Sequence, residues 1–162
     1  MGPLTTSQVN KAGRLLRKSA TGGASGEELA NARDVLLEFR ARHQGPLAKA
    51  TMGLRSVVKT EACARVEVSQ RLKRTPTILD KLTREPTLAL ANMQDIGGCR
   101  AVLASIDEVR RVEARLRKSR PPVGYSDYVT TPRSSGYRGV HLVVVYDGRR
   151  IEVQLRTLVM HE

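Results

Sequence analysis

Apolar and polar positions alternate most regularly between Val140 and Leu155, in two runs that flank Asp147-Gly148. An Asp-Gly pair between two such runs predicts a β-hairpin with a two-residue loop. Counting outward from that loop, Tyr146 faces Arg149, Val144 faces Ile151, Leu142 faces Val153 and Val140 faces Leu155. These positions make one apolar face, because side chains alternate across a strand. The opposite face carries Val143 against Glu152, His141 against Gln154 and Gly139 against Arg156, with Tyr137 just before. An arbitrary hairpin would simply expose such a face to water. Here an acid, an amide, an arginine and a histidine stand in one line, beside a Pro/Ser/Gly loop (131–136) suited to bending away. That face is expected to be the floor of a site.

Upstream, Gln8 to Lys18 reads as a short basic helix, and the stretch 21–26 (TGGASG) as a flexible break. Ser25 and Glu28 have capping-box spacing, and Leu29, Ala32, Leu36 and Phe39 recur at helical intervals until Gln44-Gly45-Pro46. Pro46 suits the first turn of a further helix with the stripe Leu47, Ala50, Leu54 and Val57 or Val58. Between Ala64 and Lys73 the pattern becomes alternating, with Val66 and Val68 on one side and Arg65, Arg71 and Lys73 on the other. Thr75-Pro76 then starts a helix, threonine as N-cap, with Thr77 and Lys81 on one face. Cations at a strand end that runs into a helix N-terminus suit a phosphate.

A short apolar helix from Leu88 to Met93 leads into a buried strand, Asp95 to Leu103. Asp95 at its entrance can join an acid elsewhere around a hard cation, or can simply end the preceding helix. Ser105 and Glu108 form another capping box, followed by the stripe Ile106, Val109, Val112 and Leu116. The outer face of that helix is basic: Arg110, Arg111, Arg115, Arg117 and Lys118. Pro121-Pro122 ends it, and a short strand is expected at 126–129 before the hairpin. The fold class is therefore α+β, a mixed sheet of about four or five strands flanked by helices. One globular unit is expected, with a helical segment over 1–60 and the chemistry in 61–162.

The chain has 28 Lys and Arg against 16 Asp and Glu, a net charge of +12 in 162 residues, so polyanions are favoured partners. One Phe, four Tyr and no Trp leave little for stacking successive bases, which argues against an extended single-strand platform. Two cysteines without CxxC spacing and three scattered histidines point to a reduced, cytoplasmic setting and no structural zinc. No apolar run is long enough to suggest a membrane partner.

Four ordered stretches carry a family resemblance: R-x-K-x-x-x-T-I-x-x-K from Arg71 to Lys81, D-I-G-G-C-R from Asp95 to Arg100, D-Y-V-x-x-P-R-x-x-G-Y-R-x-x-H from Asp127 to His141, and E-V-Q-L-R-T from Glu152 to Thr157. Together they resemble the synthetase domain of RelA/SpoT-type proteins, in the small single-domain form. The resemblance implies a nucleotidyltransferase-like fold and Mg²⁺-dependent transfer of pyrophosphate from ATP to a ribose 3′-hydroxyl, with GDP or GTP as acceptor and AMP released. It further implies that Arg71 and Arg100 sandwich adenine, that Lys73, Thr77 and Lys81 hold the ATP phosphates, and that Asp95 and Glu152 are the catalytic acids and coordinate magnesium. Tyr137 would stack on the acceptor base with His141, Arg133, Gln154 and Arg156 near it.

Ser126 stands where many relatives carry Lys or Arg for the acceptor's 5′-phosphates, and the chain ends at Glu162 where relatives continue into a helix, which implies truncation. Some small relatives are toxins, held by an antitoxin protein, that modify the terminal adenosine at the tRNA 3′ end. For that acceptor Arg110, Arg111, Arg115, Arg117 and Lys118 would supply a basic surface for the stem. A third reading, a catalytically inactive nucleotide- or RNA-binding module, leaves the paired acids Asp95 and Glu152 unexplained. Oligomeric state is not legible.

Overall fold

A computed structural model describes residues 2–19, 22–64 and 66–161. Three helices come first, α1 (Thr6–Ser19), α2 (Gly26–Ala41) and α3 (Gln44–Thr60). They are followed by β1 (Glu67–Leu72), α4 (Thr75–Arg84), a 3-10 turn at Leu90–Asn92, β2 (Gly97–Leu103) and α5 (Ile106–Ser119). β3 (Gly124–Asp127), the hairpin of β4 (Val140–Tyr146) and β5 (Arg149–Thr157), and a last turn α6 (Leu158–His161) complete the chain. The five strands form one mixed sheet in the order β1-β2-β5-β4-β3, with β2 parallel to β5 and every other pairing antiparallel. The expected α+β class and sheet size are as observed.

The hairpin register is the one read from the alternation, Val140 to Leu155 through Tyr146 to Arg149. Asp147 and Gly148 both take positive φ, 50° and 76°, the backbone of a type I′ turn that matches strand twist. One face of the sheet buries Cys99, Ala101, Leu103, Val140, Leu142, Ile151, Val153 and Leu155 against α3 and α5. A second cluster packs α1, α2 and α4 around Leu36, Ile78, Leu82, Leu90 and Ile96. These cores leave the other face of the sheet open, and it carries the polar residues. Gly97 explains how closely β2 approaches its neighbours: a Cβ there would lie 2.9 Å from Ile151 Cδ1 and 3.5 Å from Leu47 Cβ.

Several local expectations shift. Arg74, not Thr75, is the N-cap of α4, and no side chain closes that cap. The strand expected from 64 to 73 is hydrogen-bonded only over Glu67–Leu72; Val66 is exposed, and Arg65 lies outside the described residues. The apolar helix expected over 88–93 contracts to a 3-10 turn at Leu90–Asn92, because Ala89 before it and Met93 after it both take extended backbone. The strand expected at 126–129 ends at Asp127, whose carboxylate accepts from the N–H groups of Val129 and Thr130 and folds the chain into a turn.

The capping box at α5 forms by half. Ser105 Oγ accepts from Glu108 N at 3.2 Å, but the buried Glu108 carboxylate turns to Ala104 N at 3.1 Å and Ala64 N at 2.9 Å. It thus ties the α3–β1 connection to the start of α5. Glu108→Ala leaves two backbone donors without that partner and should destabilise the fold by about 3 kcal/mol. Thermal unfolding should show a Tm drop several times larger than that of Asp107→Ala one position away on the exposed face.

Candidate functional site

The parallel pairing of β2 with β5 sets Gly98 beside Glu152 and Arg100 beside Gln154 on the open face. β1 adds Ser69 beside Arg100 and Arg71 beside Gly98. A cleft of about 370 Å³ opens here, lined by Arg71, Asp95, Arg100, Glu152, Gln154 and Arg156 among others. A second cleft of about 380 Å³ lies toward β3, lined by Lys81, Asp95, Ser126, Tyr128, Arg133, His141 and Glu152 among others. Asp95 and Glu152 belong to both, so the two acids stand at the boundary between a guanidinium-walled space and an aromatic one. The apolar cavity of about 220 Å³ between α3 and α5 lies behind the sheet and holds no acid or histidine.

Asp95 is gripped at both oxygens: Lys73 Nζ donates to Oδ2 at 2.8 Å and Lys81 Nζ to Oδ1 at 3.0 Å. Burial pushes its carboxyl up, but the two ammonium groups together outweigh that and hold it below the usual carboxylate range. Lys73 is itself only 8 % exposed, and Asp95 is the acid that pairs with it there. The main chain around it is fixed, with Lys73 N donating to Ile96 O at 2.7 Å and Arg40 Nε donating to Lys73 O at 2.7 Å. From α1, Arg17 donates to the carbonyls of Leu82, Glu85 and Leu88, satisfying the end of α4 and the turn after it. The two N-terminal helices, whose sequence carries no chemical motif, therefore brace the Lys73–Lys81 arm.

Around Glu152 the polar face forms a chain. Gln154 Nε2 donates to Glu152 Oε1 at 2.6 Å, and Arg156 Nη2 donates to Gln154 Oε1 at 2.6 Å. The Arg156 guanidinium lies over the Tyr137 ring at 4.6 Å, Tyr137 Oη is 2.7 Å from His141 Nε2, and His141 Nδ1 is 3.8 Å from Glu152 Oε1. Burial lowers the His141 pKa; Glu152 opposes this, while Arg133 and Arg156 reinforce it, so the imidazole is neutral near pH 7. Burial likewise raises the Tyr137 phenol. Tyr128 meets both Tyr137 and His141 edge-on, and Arg133 stacks on Tyr128 at 4.3 Å while donating to its hydroxyl. Among the described residues, the buried Nε atoms of Arg100 and Arg156 have no hydrogen-bond partner.

Of the residues singled out from sequence, Arg71, Arg100, Gln154 and Arg156 share the first cleft, and Lys81, Arg133 and His141 share the second. Gln154 and Arg156 thus line the first cleft, while the Arg156 guanidinium also reaches the ring of Tyr137, the residue expected at the acceptor base. Thr77 is exposed on the first turn of α4 and lines neither cleft. The α5 cations lie behind the sheet: Arg110 pairs with Glu113 and Asp127, Arg111 with Asp107, Arg115 with Glu61, and Arg117 covers the Tyr125 ring. Lys118 is exposed on the same helix.

Asp127 was not singled out as a site residue, yet it anchors the loop that carries Tyr128, Arg133 and Tyr137. Burial raises its pKa, but donors from Thr130, Arg110 and Val129 outweigh that and bring it down to about 2. Asp127 followed three residues later by Thr130 is a readable turn signal. Its partner Arg110, from α5, is not.

A sequence model described as a region found in RelA / SpoT proteins matches residues 70–162, more than half of the chain. GTP pyrophosphokinase YjbM of Bacillus subtilis is 36 % identical over 106 residues, which are 58 % of this chain and 50 % of that protein. GTP pyrophosphokinase rsh of Brucella ovis is 26 % identical over 132 residues, 80 % of this chain and 17 % of that one. The chain therefore spans about half the length of the first of these relatives, 50 %, and far less of the second. Among solved structures, the small alarmone synthetase 1 of Bacillus subtilis bound to its product pppGpp superposes with a TM-score of 0.68 at 28 % identity, covering 78 % of this chain and 75 % of that one. A GTP pyrophosphokinase family protein from Streptococcus pneumoniae gives 0.68 at 28 % identity, covering 78 % and 71 %. The motifs on the open face of the sheet and the fold that presents them are those of a RelA/SpoT protein, and to that family this chain belongs.

Proposed function

We propose that this chain transfers the β,γ-pyrophosphate of ATP to the 3′-hydroxyl of GDP or GTP, releasing AMP. The observation that carries this reading is that Asp95 and Glu152 each line both clefts, so nucleotides in the two spaces would meet at the same pair of acids. Adenine would stack between the guanidinium groups of Arg71 and Arg100, which both line the first cleft. The triphosphate extends toward Lys73, Lys81 and the first turn of α4 with Thr77, a place for phosphate at a helix N-terminus. The acceptor takes the cleft of Tyr128, Arg133 and His141, with Tyr137 against its base. Two relatives with pyrophosphokinase names and a neighbour bound to pppGpp support the reading.

The acceptor 3′-oxygen forms a bond to the β-phosphorus while the bond from that phosphorus to the α,β-bridging oxygen breaks. AMP departs with the electron pair, and the hydroxyl proton passes to Glu152. Lys73 and Lys81 are held on Asp95 until a triphosphate offers them a denser charge. Among the described residues no group of three or more His, Cys, Asp or Glu forms a metal cage. Two carboxylates beside a triphosphate instead fit Mg²⁺, which takes one or two carboxylates with water and substrate phosphates. Held by Asp95 and Glu152, it would neutralise charge on the transferring group.

A second acceptor, the 3′-terminal adenosine of tRNA, is favoured by Ser126, which puts a hydroxyl rather than a cation in the acceptor cleft. Against it, Arg110, Arg111 and Arg115 are each paired with acids on a helix behind the sheet, so the basic surface a stem would need is partly neutralised. The nucleotide acceptor is therefore the first reading.

Glu152→Gln should lower the rate of AMP release roughly 10²- to 10⁴-fold while leaving the ATP dissociation constant within about twofold. Unchanged turnover would remove Glu152 from the proton's path. Offered ATP labelled in the β and γ phosphates, the protein should label GDP or GTP in preference to uncharged tRNA. Label on tRNA alone would replace the acceptor and leave the transfer chemistry standing.

A further inference from the structure

Gln154 and Arg156 line the first cleft beside Glu152, and Arg156 also packs on Tyr137. Their geometry is directional. Glu152, Gln154 and Arg156 alternate along one face of β5, so neighbouring side chains in this file are two residues apart. An amide can donate only from nitrogen and accept only at oxygen. Arg156 has donors and no acceptors, so its bond to Gln154 Oε1 forces the other end of the amide, Nε2, toward Glu152. With the amide turned over, two pairs of like groups would face each other. Arg156 is in turn seated on the Tyr137 ring, and Tyr137 Oη is bonded to His141, whose other ring nitrogen lies beside Glu152. The ring of contacts closes on the carboxylate.

From this we propose that Gln154 is a positioning residue for Glu152: its amide, oriented by Arg156, holds Oε1 of the carboxylate and presents the second oxygen to the acceptor hydroxyl. The assignment rests on the pyrophosphate-transfer reading for its consequence, but not for its geometry. A hydrogen bond to a charged group has a strength that corresponds to roughly 10- to 100-fold in rate if it acts on the reacting geometry. Arg156 acts on Glu152 through Gln154, so removing either should break the same link, and their effects should not multiply.

The test has two independent arms. In the first, Gln154→Met and Arg156→Met are assayed at saturating ATP and acceptor. Each should lower kcat roughly 10- to 100-fold with the KM for ATP within about twofold, and the double variant should be no slower than the slower single. Losses that multiply, or an unchanged kcat with a raised acceptor KM, would make the two residues ordinary binding groups and overturn the proposal. In the second arm, the wild-type chain is studied by NMR without substrate. The two Nε2 protons of Gln154 should give separate signals protected from solvent exchange, and Arg156→Met should collapse that protection while the backbone amides of β4 and β5 stay protected. A solvent-averaged Gln154 amide in the wild-type chain would overturn the assignment. Should the protein transfer pyrophosphate to neither acceptor, the functional reading fails while this arm still decides the orientation of the amide.

Discussion

The parallel pairing of β2 with β5 is the constraint on which the site depends. It sets Gly98 against Glu152, and Asp95 stands two residues before β2 begins at Gly97. Two acids far apart in sequence therefore become neighbours of the same clefts. Parallel strands need a crossover, and α5 with β3 and β4 supplies it. The pairing is held from behind by α3 and α5, where the missing side chain of Gly97 lets Ile151 and Leu47 close on the strand. With the apolar face so covered, the opposite face is free to carry charge.

That charge is organised by mutual restraint. Four of these cations have a neighbour that restrains them: Lys73 and Lys81 on Asp95, Arg156 on Gln154 and Tyr137, Arg133 on Tyr128. In a protein of net charge +12, cations crowded around two acids would otherwise repel one another. The depressed pKa of Asp95 follows from the same arrangement, and the pKa of His141, lowered first by burial, is lowered further by two guanidinium groups. The N-terminal helices contribute by hydrogen bonds to main chain, Arg17 at the end of α4 and Arg40 at Lys73, and so buttress the lysine arm from behind.

The hairpin is legible in the sequence because alternation and turn chemistry agree: Asp147 and Gly148 take the positive φ that such a loop requires, and every cross-strand partner follows. The helical stripes of α2, α3 and α5 are legible for the same reason, a period that only one face can satisfy. What is not legible depends on tertiary partners. Glu108 looks like half of a capping box, yet its carboxylate serves the main chain of Ala64, far away in sequence. Asp127 reads as part of a strand over 126–129, and only the fold brings Arg110 to it. Arg71, Arg100, Asp95 and Glu152 can be singled out by motif, but the sharing of both clefts by the two acids is a property of strand order. Gln154 is visible as a polar residue on the site face; the direction of its amide is set by Arg156 and requires coordinates.

The central claim is that Asp95 and Glu152 act on one divalent ion beside a bound triphosphate. A crystal grown with Mn²⁺ and a non-hydrolysable ATP analogue, with anomalous scattering collected to locate the metal, tests it directly. The account predicts a single strong peak within coordination distance of carboxylate oxygens from both residues and of the analogue's phosphates. A peak that touches neither acid, or analogue bound with its phosphates away from Lys73 and Lys81, would contradict it.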